Sequence, residues 1–205
     1  MVENIREIIY KNSVRLFNER GYSYVTMREI AAECGISVGN LTYYYPKKED
    51  LLMLEHDGIM QAFIDEVLLR DSKLSGLDGY FTVECAFLYY IVCDAALERL
   101  YRDVINIPGL RRRYCESHYE LYCRFVSPAN PLSSKLAIAA MSGVEFELVG
   151  EGLIRGNEVK ALAGILGTLL IFEGKSIPDN ESLITSSITR GLDIATAMAN
   201  KGLKF

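Results

Sequence analysis

The segment between residues 26 and 51 combines helix-capping, glycine, tyrosine and lysine residues in an order that is more informative than the rest of the chain. Thr26 and Glu29 lie three positions apart, just ahead of an apolar pair, which is the pattern of a capping box at a helix start. Gly35 follows shortly afterwards, and glycine readily adopts the left-handed backbone of a turn between two helices. Two short helices joined in this way predict a helix-turn-helix, whose second helix fits the major groove of DNA.

The second of these helices carries the side chains that would meet the bases. Ser37 can cap its first turn, and Gly39 keeps that end thin, so the positive end of the helix can approach a phosphate. The next helix begins near Lys47 and Lys48, and two cations are unfavourable there unless an anion such as a DNA phosphate lies nearby. A helical hairpin formed by packing alone is the alternative, and the joint spacing of these features favours DNA binding. The residues predicted to face base edges are Val38, Gly39, Asn40, Thr42 and Tyr43.

The charge of the chain is divided unevenly between its two parts. The formal net charge is -5, yet residues 1–50 carry seven basic and seven acidic residues, so the whole acidic excess lies in residues 51–205. Sequence-independent binding to nucleic acid requires a dominant basic surface, which the composition of this chain does not indicate. The distribution predicts a small DNA-binding domain over residues 1–47 and a larger acidic domain over residues 48–205.

Helical periodicity extends over nearly the whole chain, and no segment shows the sustained alternation of a strand. We therefore predict an all-α protein in which a three-helix head is fused to a larger helical domain. Asp94 is a candidate break within one of the predicted helices. Beyond the head, helices are expected at about 48–70, 77–104, 109–126, 133–154, 158–173 and 180–200.

Several other classes of protein are not indicated. No apolar run reaches the length of a membrane span, and the first residues lack the profile of a secretion signal, so we expect a cytoplasmic protein. The five cysteines form no Cys-x-x-Cys pair, which predicts free thiols. Cys115 and His118 share a helix face, but two ligands do not make a metal site, and no cofactor is predicted. We find no nucleophile, base and orienting group in an enzyme-like arrangement.

Residues 5–52 resemble the TetR-type transcriptional regulators. The resemblance lies in Phe17, Gly21-Tyr22, the runs 26–31 and 35–41, Tyr44-Tyr45 and the run 48–52. Beyond residue 52 it implies only a helical domain for ligand binding and dimerisation.

The resemblance also implies roles for individual residues of the head. Tyr44 and Lys48 are expected to hold phosphates, and Thr26 to cap its helix near the DNA backbone. Arg28 and the run from Ser37 to Tyr43 are expected to face the groove. Thr42 stands where the family commonly has tyrosine, so the contact usually made there passes to Tyr43 or is lost.

One head reads only a few base pairs, so we expect a homodimer that presents two recognition helices roughly 34 Å apart to a double-stranded operator. The two C-terminal helices, at about 158–173 and 180–200, are the predicted interface. Their apolar residues exceed what one monomer core needs, although a buried central helix is the alternative. The residues concerned are Leu162, Leu166, Leu169, Leu170, Ile184, Ile188, Leu192 and Ala195.

An unidentified small-molecule effector would bind in the middle of the chain, where tyrosines are frequent. A cavity with apolar and aromatic walls and few polar groups is the usual small-ligand site. Glu145, if buried there, would favour a cationic or hydrogen-bond-donating ligand. The alternative is that these side chains simply form the core. The predicted effector-binding residues are Tyr89, Cys93, Tyr119, Tyr122, Met141 and Glu145.

The predicted function is a ligand-responsive transcriptional regulator, in the first place a repressor. The effector would shift the helix at 48–70 and so change the separation of the two heads, which requires different affinities for the two states. The sequence leaves open an activator, and also an architectural DNA-binding protein of the same fold with a filled core and no effector.

Overall fold

The computed structural model describes residues 4–201, and within this range every regular element is helical. Two short 3-10 turns, Tyr22–Tyr24 and Pro178–Asn180, accompany the α-helices. The all-α prediction is confirmed. The helices are α1 Ile5–Arg20, α2 Met27–Glu33, α3 Val38–Tyr44, α4 Lys48–Arg70, α5 Gly76–Cys93, α6 Ala95–Asn106, α7 Pro108–Phe125, α8 Pro131–Gly150, α9 Glu158–Phe172 and α10 Glu181–Asn200.

Local signals produce the helix boundaries of the head. The Thr26 hydroxyl accepts a hydrogen bond from the Glu29 amide at 3.3 Å, and the Glu29 carboxylate accepts one from the Thr26 amide at 2.8 Å, which completes the predicted capping box. Gly21 ends α1 with a φ of 87°, and Gly35 makes the turn between α2 and α3 with a φ of 67°. A side chain at either glycine would be strained in this left-handed region.

The helix predicted over 77–104 is in fact two helices. Asp94 ends α5 and caps α6, because its carboxylate accepts hydrogen bonds from the amides of Ala96 and Leu97 at 2.8 and 3.0 Å. The two helix axes differ by 110°. In the described part of the chain no single helix is long and apolar enough to cross a membrane, and only this bent pair reaches that length and composition together.

Helix α5 is the centre of the larger domain, and α10 packs along it. Gly191 makes this close approach possible, since a Cβ there would lie 2.5 Å from Cβ of Cys85 and 2.9 Å from the backbone nitrogen of Ala86. The apolar stripe of α10, including Ile184 and Ile188, is therefore buried inside its own chain.

Packing of α9 gives the same result. The four leucines that suggested a dimer interface are at most 1% exposed, because they face α8 and the core. The reasoning that assigned the surplus apolar residues of α9 and α10 to a partner was wrong, and the alternative of a buried helix describes these residues. They are Leu162, Leu166, Leu169 and Leu170.

Candidate DNA-binding site and buried polar core

The inner face of helix α3 packs on the head, and its outer face is exposed to solvent. Leu41 is fully buried beneath it, and the Ser37 hydroxyl caps it by accepting a hydrogen bond from the Asn40 amide at 3.1 Å. Tyr43 is 80% exposed. Of the predicted base-facing set Val38, Gly39, Asn40, Thr42 and Tyr43, Thr42 alone is half-buried, and its hydroxyl donates to the Gly39 carbonyl at 3.1 Å.

The flanking residues predicted to contact DNA lie on the same part of the head but differ in freedom. Arg28 and Thr26 are exposed. Tyr44 is half-buried, with the Arg6 guanidinium 5.4 Å from its ring centroid and the Tyr43 ring at 5.2 Å. Tyr44 is thus oriented by a cation and a second ring, which prepares its hydroxyl for a contact outside the head.

Lys48 is already bound to the head that precedes it. Its ammonium donates hydrogen bonds to the carbonyls of Tyr22 and Val25, each at 2.9 Å, and lies 4.0 Å from the Tyr22 ring centroid. Burial lowers the pKa of this ammonium. Two of the three donors of the ammonium therefore attach α4 to the 3-10 turn and to Val25 directly after it.

An anion from the chain itself already lies near the Lys47–Lys48 pair. One oxygen of the Asp50 carboxylate accepts a hydrogen bond from the Lys47 amide at 2.9 Å, and the other lies 2.7 Å from a guanidinium nitrogen of Arg113 in α7. Glu49 and Asp50 lie in the same first turn and already supply negative charge. The lysine pair therefore does not require an external phosphate, contrary to the prediction.

The head contacts the larger domain through α4 and also through α6. Glu55 of α4 accepts a hydrogen bond from the Tyr10 hydroxyl of α1. From α6, Arg99 donates to the carbonyl of Asn18, and Asp103 accepts from the Ser23 hydroxyl at 2.7 Å. A displacement of either helix would therefore be transmitted to the head.

The structure does not bring the six predicted effector-binding residues together. Tyr122, Met141 and Glu145 are buried in the core, whereas Cys93 is exposed and Tyr89 and Tyr119 are half-buried. Tyr89 and Cys93 lie four residues apart on the outer face of α5, whereas Tyr90, Ile91 and Val92 of the same helix end are buried. A single pocket formed by all six residues is therefore a wrong prediction.

The interior contains a polar chain that the sequence analysis did not identify. Nδ1 of His118 lies 2.7 Å from the Glu84 carboxylate, its Nε2 lies 3.3 Å from Nε2 of His56, and Nδ1 of His56 lies 2.9 Å from Asp57. These contacts join α5, α7 and α4. The signal available was that the chain has only two histidines and that both fall on helices of the core.

The two histidines have opposite tendencies to bind protons. Burial lowers the pKa of His56. Burial has the same tendency at His118, but the carboxylates of Glu84, Glu145 and Asp57 together outweigh it and raise the pKa, with Glu84 contributing most. In the resulting arrangement His118 is the charged partner and donates to Glu84 and to His56, and neutral His56 donates to Asp57. Each ring nitrogen then has a partner.

Glu145 of α8 forms a second buried polar group. One of its carboxylate oxygens, Oε1, accepts hydrogen bonds from the hydroxyls of Tyr101 and Tyr114, each at 2.5 Å. Burial raises the pKa of Glu145 to about 7. Among the groups that the structure describes, Oε2 of Glu145 has no hydrogen-bond partner.

A narrow cavity of about 30 Å³ lies between α4, α5 and α6. Its walls are mostly apolar, with Leu52 and Phe87 among them, and Glu55, His56 and Tyr101 contribute polar side chains. The volume suffices for about two water molecules. Tyr101 connects the cavity to Glu145, because its ring forms part of the wall and its hydroxyl bonds the carboxylate.

The head of this chain is similar to a known protein family. Residues 9–53 match the family model described as bacterial regulatory proteins of the tetR family. The negative transcriptional regulator IcaR of the biofilm operon icaADBC from Staphylococcus epidermidis is 25% identical over 116 residues, which are 57% of this chain and 62% of that protein. The transcriptional regulator HbdR of Aromatoleum sp. strain CIB is 31% identical over 117 residues, covering 55% and 50%. The chain thus spans less than two thirds of the length of these relatives.

The similarity of the larger domain to known proteins lies in its fold. The solved structure of SmeT, described as the repressor of a Stenotrophomonas maltophilia multidrug efflux pump, superposes with a TM-score of 0.52 at 15% identity. The match covers 81% of this chain and 88% of that one. It shows a common fold for most of the chain.

Proposed function

Since this chain belongs to the TetR family of bacterial regulatory proteins, we propose that it is a transcriptional repressor that binds an operator as a homodimer and is released by a small molecule. The observation that carries the proposal is helix α3, which is capped, anchored by buried Leu41 and exposed along its outer face. A helix presented in this way can enter the major groove.

In the proposed complex the exposed part of α3 reads bases and its neighbours position the head on the backbone. Asn40 and Tyr43 offer side chains for base edges. Arg28 and Tyr44, which flank these residues in the sequence and are at least partly exposed, bind phosphates. The third donor of Lys48 contributes a backbone contact, while its two intramolecular bonds hold α4 in register with the head.

We place the dimer interface on α8 and α9. The exposed apolar side chains of the larger domain include Leu132 and Leu136 on α8, and Val159 and Ile171 on α9, all of them more than half exposed. Gly143 and Gly164 face open space within the chain, so a partner helix can approach closely there. Two copies of this helix pair would form a four-helix bundle.

The effector signal is proposed to reach the head by two routes. Helix α4 is continuous with Lys48 and bonds α1 through Glu55, and α6 contacts the head through Arg99 and Asp103. A ligand that binds one arrangement of these helices more tightly shifts the population of head positions.

A second candidate function rests on the small cavity. With room for about two water molecules, the core is nearly filled. An architectural DNA-binding protein with no effector would have such a core. Its affinity for DNA would be unchanged by every compound tested.

The test is a gel-shift titration of the dimer on DNA that flanks its own gene, at several salt concentrations. Replacing Tyr43 by alanine should weaken specific binding about 5- to 150-fold, a loss of about 1–3 kcal/mol. Tyr24→Ala is the matched control, because Tyr24 is an equally exposed tyrosine of the head (78%) outside α3. Equal affinity of the two variants would refute the placement of α3, and monomers at micromolar concentration would refute the two-headed complex.

A further inference from the structure

The larger domain buries more carboxyl groups than positively charged partners for them. It buries three glutamates and two histidines, and among the residues that the structure describes no lysine or arginine is buried with them. Glu55 bonds Tyr10, and Glu84 is paired with His118. Glu55 and Glu145 are bonded by tyrosine hydroxyls and not by a lysine or arginine, and Glu145 in addition has an oxygen without a hydrogen-bond partner among the described groups.

A second incompletely bonded group lies on the same helix as the free oxygen of Glu145. Ser142 precedes Glu145 by one helical turn on α8 and is fully buried. Its hydroxyl lies near the Cys115 thiol, a weak partner. In the described range it makes no other hydrogen bond, and Oε2 of Glu145 makes none at all. Buried polar atoms of this kind are costly, so a ligand that donates hydrogen bonds to them gains affinity.

Three aromatic rings form a cluster next to Glu145, and two of them bond its other oxygen, Oε1, through their hydroxyls. The ring centroids of Tyr101 and Tyr114 are 5.4 Å apart, those of Tyr114 and Phe146 are 5.3 Å apart, and those of Tyr101 and Phe146 are 6.2 Å apart. The Arg111 guanidinium already lies 5.0 Å from the Phe146 ring centroid. Aromatic faces next to a carboxylate favour a cation, since the ring quadrupole and the negative charge act in the same direction.

We propose that Glu145 and Ser142, with the rings of Tyr101, Tyr114 and Phe146, bind the nitrogen end of an organic ammonium ion that carries an apolar body. The inference rests on the proposed effector-responsive function and names the chemical class of the effector. The ammonium N–H groups bond Oε2 of Glu145 and Oγ of Ser142. A carboxylate-bearing ligand is repelled.

The apolar body is directed to the cavity between α4, α5 and α6, which Tyr101 shares with the polar site. A body larger than the existing volume must displace residues of the cavity wall, and Leu97, Leu100 and Tyr101 of that wall belong to α6. The same helix contacts the head through Arg99 and Asp103. Occupation of the site is thereby coupled to the position of the head.

The experiment compares three probes of similar shape on the full chain, measured by calorimetry: 2-phenylethylammonium, the neutral 2-phenylethanol, and the anion phenylacetate. The ammonium should bind about 10- to 100-fold more tightly than the alcohol, as a charge-assisted hydrogen bond requires, and the anion should not bind. Glu145→Gln should abolish the difference between ammonium and alcohol. Glu147→Gln, an exposed glutamate of the same helix, should leave it unchanged.

Two further readouts make failure interpretable. Ser142→Ala should reduce ammonium binding without removing it, which supplies a test if the Glu145 variant does not fold. Equal binding of ammonium and alcohol by the wild type, binding of neither, or an unchanged preference in Glu145→Gln would overturn the proposal. A wild-type protein that shifts operator DNA while ignoring the ammonium refutes only this inference, whereas one that shifts no DNA refutes the proposed function.

Discussion

The head and the larger domain place their functional polar groups on opposite sides of the fold. In the head, Asn40 and Arg28 project to solvent from helices whose inner faces are apolar. In the larger domain, Glu84, His118 and Glu145 lie inside, at most 5% exposed. The head can therefore bind and release partners with little effect on its own packing. Binding or proton transfer in the core of the larger domain, in contrast, changes the stability of the fold.

The largest expected effect breaks the buried chain of the larger domain. Glu84→Ala leaves His118 without its carboxylate in the interior and should lower the free energy of unfolding by about 3–5 kcal/mol. Urea denaturation measures it. Glu116→Ala, which removes the exposed partner of Arg112 from α7, should cost less than about 1 kcal/mol. Similar losses in the two variants would contradict the contrast between core and surface.

The next effect concerns pH. The folded pKa of Glu145, about 7, lies above its ordinary value of 4.5, so the folded protein binds the extra proton and stability falls as pH rises between these values. Glu145→Gln removes this slope. Relative to wild type, the variant should gain up to about 3 kcal/mol between pH 4.5 and pH 8, measured by denaturation at each pH. Parallel profiles of the two proteins would show that Glu145 titrates as in the unfolded chain.

A smaller effect tests the local origin of the head. Thr26→Ala removes the hydroxyl from the capping box of α2 and should cost about 1 kcal/mol. Thr26→Ser retains the oxygen and serves as the matched control in thermal unfolding. If alanine and serine destabilise equally, the cap does not determine the start of α2.

The smallest stability effect is expected on the outer face of α3. Asn40→Ala should change the free energy of unfolding by less than about 0.5 kcal/mol. The side chain is exposed, and the Ser37 cap uses only the backbone amide of Asn40, which alanine retains. Operator affinity should nevertheless fall by about 1–3 kcal/mol in a gel-shift titration. A large loss of stability would place Asn40 in the packing of the head.

The accuracy of the sequence-based predictions follows the same division. The capping box at Thr26, the glycine turn at Gly35 and the bounds of α4 agree with prediction, since each depends on neighbours within a few residues. The grouping of Tyr89, Cys93 and Tyr119 with Glu145 failed. Helical periodicity shows that a side chain shares a face with others, but the 110° bend after α5 decides which faces meet.

The use of the apolar residues of α9 and α10 as interface residues failed for a related reason. Leucines of α9 and isoleucines of α10 are apolar in any context, and only packing distributes them between a core and a partner. Gly191 seats α10 on α5 so closely that its apolar stripe is used within the chain. The exposed apolar residues of α8, such as Leu136, then become the candidates.

The sequence by itself determined the all-α fold and the helix-turn-helix, because helix caps, turns and apolar periodicity act over a few neighbouring residues. Only the tertiary structure decided the buried chemistry. It joined Glu84 to His118 and His118 to His56, and it left one oxygen of Glu145 unpaired within the described structure. These groups come from separate helices, and their protonation depends on burial and on neighbours that no local pattern specifies.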